Sequence, residues 1–172
     1  MTREEPDVRT LIVYMSKHGC SEKAATLIQR HLDNPDVQVV NLAHNPTIDP
    51  SPFDGVIIGG PVYLGALQKK LARFCERHRH VLVKKHLGLF ICCMNMGDAA
   101  RRHFETVYDA GLRDAAAAVG LFGGELNFET LGPMEKAIIG QAVSITESVS
   151  RFDEEAVKDF AMRFAGRQSK NN

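Results

Sequence analysis

The apolar run Thr10-Leu11-Ile12-Val13-Tyr14-Met15 leads through a short loop, Ser16-Lys17-His18-Gly19-Cys20-Ser21, into a helical pattern that starts near Glu22. A buried strand that feeds a small hydroxyl-bearing loop and then a helix fixes a β-loop-α order. The start of such a helix presents unpaired backbone N–H groups, which suit a phosphate. The same alternation recurs down the chain. Apolar runs at residues 37–42, 55–60, 87–93 and 119–123 read as strands, and residues 22–32, 66–77, 99–116 and 153–164 carry helical spacing.

The third run, Gly55-Val56-Ile57-Ile58-Gly59-Gly60, is apolar on both faces, as in an interior strand of a parallel sheet. Five strands alternating with helices imply an α/β fold: a doubly wound parallel sheet in three layers, with right-handed crossovers and strand order 2-1-3-4-5. Residues 45–52 carry Pro46, Pro50 and Pro52 and read as loop. Between the fifth strand and the last helix lies a long excursion, residues 124–151, with a helical patch at 134–139. The expected organisation is an N-terminal extension at 1–9, one domain at 10–165 and a disordered tail at 166–172.

Composition narrows the function classes. Lys plus Arg and Asp plus Glu number 21 each, so no overall basic field argues for nucleic acid. The charged start lacks a secretory pattern and the longest apolar window is too short to span a bilayer, which reads as a soluble, cytoplasmic protein. Peripheral contact of the 134–139 patch with a membrane stays open. Four cysteines, Cys20, Cys75, Cys92 and Cys93, are too few and too unevenly placed for a disulfide scaffold, and no metal-ligand spacing occurs.

Other doubly wound proteins require chemistry that is absent. The first turn has a single glycine, Gly19, where a dinucleotide fingerprint needs GxGxxG, and the P-loop pattern GxxxxGK[ST] does not occur. The first and third strands end in Met15-Ser16 and Gly59-Gly60, where a phosphate-receiving regulator needs carboxylates. No arginine follows Cys20 at the distance a cysteine phosphatase needs.

The remaining pattern resembles the flavodoxin family in three loops. Ser16, Lys17, His18, Gly19, Cys20 and Ser21 are similar to its phosphate loop, with His18 where a hydroxyl usually stands. Gly60, Pro61, Val62, Tyr63, Leu64 and Gly65 are similar to the loop beside the flavin ring, and Cys93, Met94, Asn95, Met96 and Gly97 fall at the second ring loop. The resemblance covers about residues 10–165. It implies FMN as a non-covalent cofactor and an oxidoreductase that passes electrons to a redox partner or a small-molecule or quinone substrate. No acid–base residue is implied; the flavin carries the chemistry.

Within the family, the spacing most resembles flavodoxin-like, quinone-dependent protoporphyrinogen dehydrogenases, which share Asn95, the excursion and the approach to the last helix through residues 151–155. One departure stands out: residues 125–133 keep only Phe128 and no arginine, where those enzymes are rich in both.

Each role has a plainer alternative. Ser16 and Ser21 serve as phosphate ligands or merely cap the first helix. Tyr63 stacks on the ring or sits as an amphipathic surface residue, and Met94 is either core or cofactor contact. The Gly60 carbonyl accepts from reduced flavin N5 after a peptide reorientation, or Gly59-Gly60-Pro61 only ends a strand. Lys17 reads as solvated in either case. The competing functional readings are a flavodoxin-like module that works without cofactor, and a thiol-based reductase using Cys20.

Overall fold

The computed structural model describes residues 8–143 and 147–168. Strands β1 (Thr10–Tyr14), β2 (Val37–Asn41) and β3 (Gly55–Tyr63) alternate with helix α1 (Cys20–Leu32). A short strand β4 (Ala66–Leu67), helix α2 (Lys69–Leu82) and strand β5 (His86–Cys92) follow. Helices α3 (Gly97–Val107) and α4 (Ala110–Ala115) lead to strand β6 (Ala116–Leu121). The main path of the sheet runs β2-β1-β3-β5-β6, all parallel, with β4 attached antiparallel to β3. Once β4 is set aside, this is the predicted order of five strands.

Strand alternation splits the core in two. Leu11 and Val13 of β1, with Met15 just after it, face a layer built with Leu71, Phe74, Phe104 and Leu112 from α2, α3 and α4. Ile12 and Tyr14 face the other layer, with Ala24 and Ile28 of α1. Val157, Phe160 and Phe164 of the last helix, α6 (Glu154–Gln168), complete that layer.

Several boundaries differ from the sequence reading, each for a physical reason. β3 continues three residues past Gly60, so Pro61 lies inside a strand instead of ending it. The proline is tolerated because β1 ends opposite Gly59, which leaves this part of β3 open on one side. Tyr63 pairs with Ala66 across a two-residue turn, Leu64-Gly65, whose φ values of 50° and 77° are both positive, as a tight hairpin requires. The helix expected at 66–77 therefore starts only at Lys69.

The helix expected at 99–116 breaks at Tyr108, which is extended and buried; its hydroxyl donates to the Phe90 carbonyl at 2.9 Å and the Ile58 carbonyl at 3.3 Å. Asp109 then caps α4 by accepting from the Leu112 N–H. β6 begins at Ala116, three residues before the predicted fifth strand.

The described residues of the excursion carry regular structure. Strands β7 (Glu125–Leu126) and β8 (Val149–Ser150) pair antiparallel around a 3-10 turn (Phe128–Thr130) and helix α5 (Pro133–Val143). The Arg151 N–H donates to the Gly124 carbonyl at 2.7 Å, closing its base. Of the predicted N-terminal extension, residues 1–7 lie outside the described residues, while Arg9 is tied to Asp54 and Gly55 and belongs to the domain. α6 runs through the first part of the predicted tail to Gln168; residues 169–172 lie outside the described residues.

Candidate functional site

Where neighbouring strands of a parallel sheet send their crossovers in opposite directions, their C-terminal ends enclose a crevice. Here that point lies between β1 and β3, and the loops after β1, β3 and β5 converge on it. Two adjoining cavities result, of about 310 and 70 Å³, sharing His18, Val62, Tyr63, Cys93, Met94 and Leu126 in their walls.

The smaller cavity is built on the first loop. Gly19 takes φ 89° and serves as N-cap of α1, and its N–H donates to Ser16 Oγ at 3.0 Å. No side chain caps the helix, so the reading of Ser16 and Ser21 as caps is not met. The first-turn N–H groups are left for another acceptor. Ser21 is 1% exposed and its hydroxyl makes no hydrogen bond of good geometry, although the Cys92 sulfur lies close enough for a weak one. Only one other buried side-chain oxygen or nitrogen among the described residues is unpartnered: the Tyr63 hydroxyl. Both residues line this cavity.

The larger cavity is mainly apolar. Val62, Leu64 and Gly65 come from the hairpin, Met94 and Asn95 from the loop after β5, and Leu126 and Ile139 from the excursion. His18, Asn95 and His103 supply its polar groups, and the Asn95 amide nitrogen lies 2.9 Å from His103 Nε2.

Lys17 is not a free solvated cation. Its Nζ lies 3.1 Å from Glu135 Oε1 and 4.1 Å from the centre of the Tyr63 ring, so it ties the first loop to α5. Lys23 likewise reaches Glu125 at 2.8 Å. A hydrogen bond from the Gly132 N–H, followed by Lys17, holds the Glu135 carboxyl below the usual carboxylate range. The hydrogen bond to Glu125 raises Lys23 above the usual lysine value.

A model of the flavodoxin domain matches residues 11–153. The chain belongs to the flavodoxin family. Flavodoxins carry FMN, and FMN is the cofactor that membership of the family implies. Among curated proteins none matches the chain.

Solved structures agree on the fold. Oxidised flavodoxin 1 of Bacillus cereus is 18% identical, with 91% of this chain and 97% of that one covered and a TM-score of 0.55. The Streptococcus pneumoniae TIGR4 flavodoxin is 20% identical over 92% and 98%, with a TM-score of 0.58. A WrbA-like flavodoxin of Agrobacterium tumefaciens is 14% identical over 96% and 99%, with a TM-score of 0.60.

Most of the expected flavodoxin residues do meet. Ser16, Lys17, Cys20, Ser21 and Pro61 line the small cavity, and Leu64, Gly65 and Asn95 the large one; His18, Val62, Tyr63, Cys93 and Met94 line both. Gly19 shapes the loop without walling a cavity.

Three residues are placed elsewhere. Gly60 is buried inside β3, paired with Ile91 of β5, and a Cβ there would meet Leu71 Cδ2 at 2.8 Å. A freely reorienting peptide at Gly60 is thus incompatible with the sheet; the positive-φ turn lies at Leu64-Gly65. Met96 and Gly97 begin α3, Met96 61% exposed, and neither lines a cavity.

Sequence reasoning passed over His103, Cys92, Gly124, Glu125, Leu126 and Ile139. His103 carried a faint signal, lying in the first turns of the predicted helix that follows Asn95.

Proposed function

We propose that this protein holds FMN non-covalently in the two cavities and passes electrons between a donor and an acceptor. One observation carries the reading: the two buried, unpartnered side-chain oxygens, Ser21 Oγ and Tyr63 Oη, both line the same crevice. Buried polar groups rarely go unpaired unless a ligand or solvent completes them.

The residues fit the group. Ser21, Ser16 and the first-turn N–H groups of α1 suit the phosphate dianion, which is favoured at a helix N-terminus. Tyr63, Leu64, Met94, Leu126 and Ile139 suit a flat ring with apolar faces, while Asn95, His103 and His18 match its polar rim. When bound, FMN supplies the capacity to take up and release one or two electrons. The chain's own part is to hold the ring away from water against the apolar wall and to keep donors at its edge.

A finer reading is a dehydrogenase acting on a planar apolar substrate such as a quinone. Supporting it, Leu64, Met96, Met134 and Ile138 are exposed large apolar residues on the segments that build the ring cavity. A porphyrinogen fits less well, since residues 125–133 hold no arginine. The reading of a cofactor-free module draws on Lys17, which already pairs with Glu135 and covers one face of Tyr63.

Titration of the purified, flavin-stripped protein with FMN separates these readings. Saturable quenching of FMN fluorescence at one equivalent supports the flavin site; no quenching and no heat of binding support the cofactor-free module. Turnover of the loaded protein with quinones and nicotinamide donors then tests the dehydrogenase reading.

A further inference from the structure

The first turn of α1 and the end of β5 bring two cysteines together at the floor of the small cavity. Cys20 and Cys92 pack in one buried layer and both line the small cavity, and the Cys92 thiol is the largest influence on the titration of Cys20. We propose that Cys20 and Cys92 form a redox-active dithiol, which a hydroperoxide converts reversibly to a disulfide beneath the phosphate loop. The pair requires no flavin, but it lies under the cavity that the FMN reading fills with the phosphate, so the flavin-free protein is the form that tests it.

Strand alternation selects the partner. Cys92 faces the α1–α6 layer, packed with Cys20, Ala24 and Phe90. Cys93 turns to the opposite layer and its S–H donates to the Asn95 carbonyl at 3.3 Å. Cys75 of α2 lies in that opposite layer too, and burial pushes its thiol up to about 12.

The two sulfurs are differentiated. Cys20 titrates below the usual thiol value, chiefly through the Cys92 thiol and also through the Glu125 backbone N–H and the Lys23 ammonium, while burial and the Glu125 carboxylate push the other way. Cys92 is pushed well above it by the Cys20 thiol and by burial. That matches an attacking thiolate beside a protonated resolving thiol. Cys20 lines the cavity that holds Ser16 and Ser21, which gives a small peroxide its route.

The chemistry balances. The Cys20 thiolate attacks the terminal oxygen of the hydroperoxide, the O–O bond breaks, and the alkoxide leaves and is protonated to the alcohol. The Cys92 sulfur then attacks the resulting sulfenic acid; its S–O bond breaks, and hydroxide leaves as water with the Cys92 proton. Two thiols lose two electrons, and the peroxide gains them.

Treatment of the flavin-free full-length protein with one equivalent of tert-butyl hydroperoxide, then denaturation, alkylation and peptide mass mapping, tests this. The expected product is one peptide pair joined through Cys20 and Cys92, reverted by dithiothreitol, with Cys75 and Cys93 alkylated. In Cys92→Ala a sulfenic acid should persist at Cys20 and be trapped by dimedone. In Cys20→Ser peroxide consumption should fall at least about tenfold. Four alkylatable thiols after treatment, or any link other than Cys20 to Cys92, would overturn the proposal, and the parent protein alone decides it if a variant does not fold.

Discussion

Replacing Ser21 by alanine is expected to move stability and cofactor affinity in opposite directions. In the flavin-free protein the Ser21 hydroxyl is buried with no better contact than a sulfur, so it carries a desolvation cost of about 1–3 kcal/mol, only part of which that contact offsets. Alanine removes that cost and is also the better helix former at this position in α1. The flavin-free Ser21→Ala protein should therefore gain about 1 kcal/mol, which is about 2–4 °C in Tm for a domain near this size.

With FMN bound, the hydroxyl has a charged acceptor, and a hydrogen bond to a charged group contributes about 1.5–3 kcal/mol. Its loss should weaken Kd by about ten- to a hundredfold. Thermal denaturation of the stripped protein and a fluorescence titration with FMN read the two effects separately. A variant that melts lower than its parent and binds FMN equally well would refute the reasoning, because Ser21 would then be structural.

Gly60→Ala forces a methyl group to within 2.8 Å of Leu71 Cδ2 in the buried layer and should cost about 1–3 kcal/mol in urea denaturation; parental stability would show that Leu71 gives way freely. Tyr108→Phe removes the hydroxyl that donates to the Phe90 and Ile58 carbonyls of adjacent strands, a loss of about 0.5–1.5 kcal/mol by the same measurement. Glu135→Gln tests the link between the first loop and α5. The Glu135 carboxyl titrates below its unfolded value, so its stabilisation is complete above that value and disappears as pH falls through the lower folded one. Melting curves of parent and Glu135→Gln should differ at neutral pH and converge in acid; a difference that persists in acid would count against the ion pair.

The sheet was legible because the inner strands β1, β3 and β5, buried on both faces, read as apolar runs, and all five strands lie within a few residues of the runs read for them. The hairpin was hidden for a specific reason. Its first turn position is Leu64, a residue that pays to adopt positive φ, where the pattern for such turns expects asparagine, aspartate or glycine. The break at Tyr108 was hidden because helical periodicity continues through it, and only the two carbonyls reached by the buried hydroxyl explain why the chain straightens there. In the site, Ser16, Ser21 and Tyr63 could be picked by chemistry and order alone. Leu126, Ile139 and His103 could not, since their place depends on how the excursion and α3 fold back over the crevice.

That folding back also decides what kind of attraction the small cavity offers. Its two nearest lysines are both engaged by carboxylates of the excursion, Lys17 by Glu135 and Lys23 by Glu125. Each pair is partly exposed, so it contributes little on its own. Together they leave both lysines of the first loop and the first turn of α1 paired. What the loop then offers an anion is directional: N–H groups at the start of α1, held open by the φ of Gly19, and a buried hydroxyl with no good partner of its own. Such groups gain most from an acceptor seated within hydrogen-bonding reach and little from a diffuse charge at a distance. On the proposed FMN reading such a crevice selects a phosphate by the fit of its oxygens, while the excursion contributes both a wall of the larger cavity and the carboxylates that neutralise the lysines.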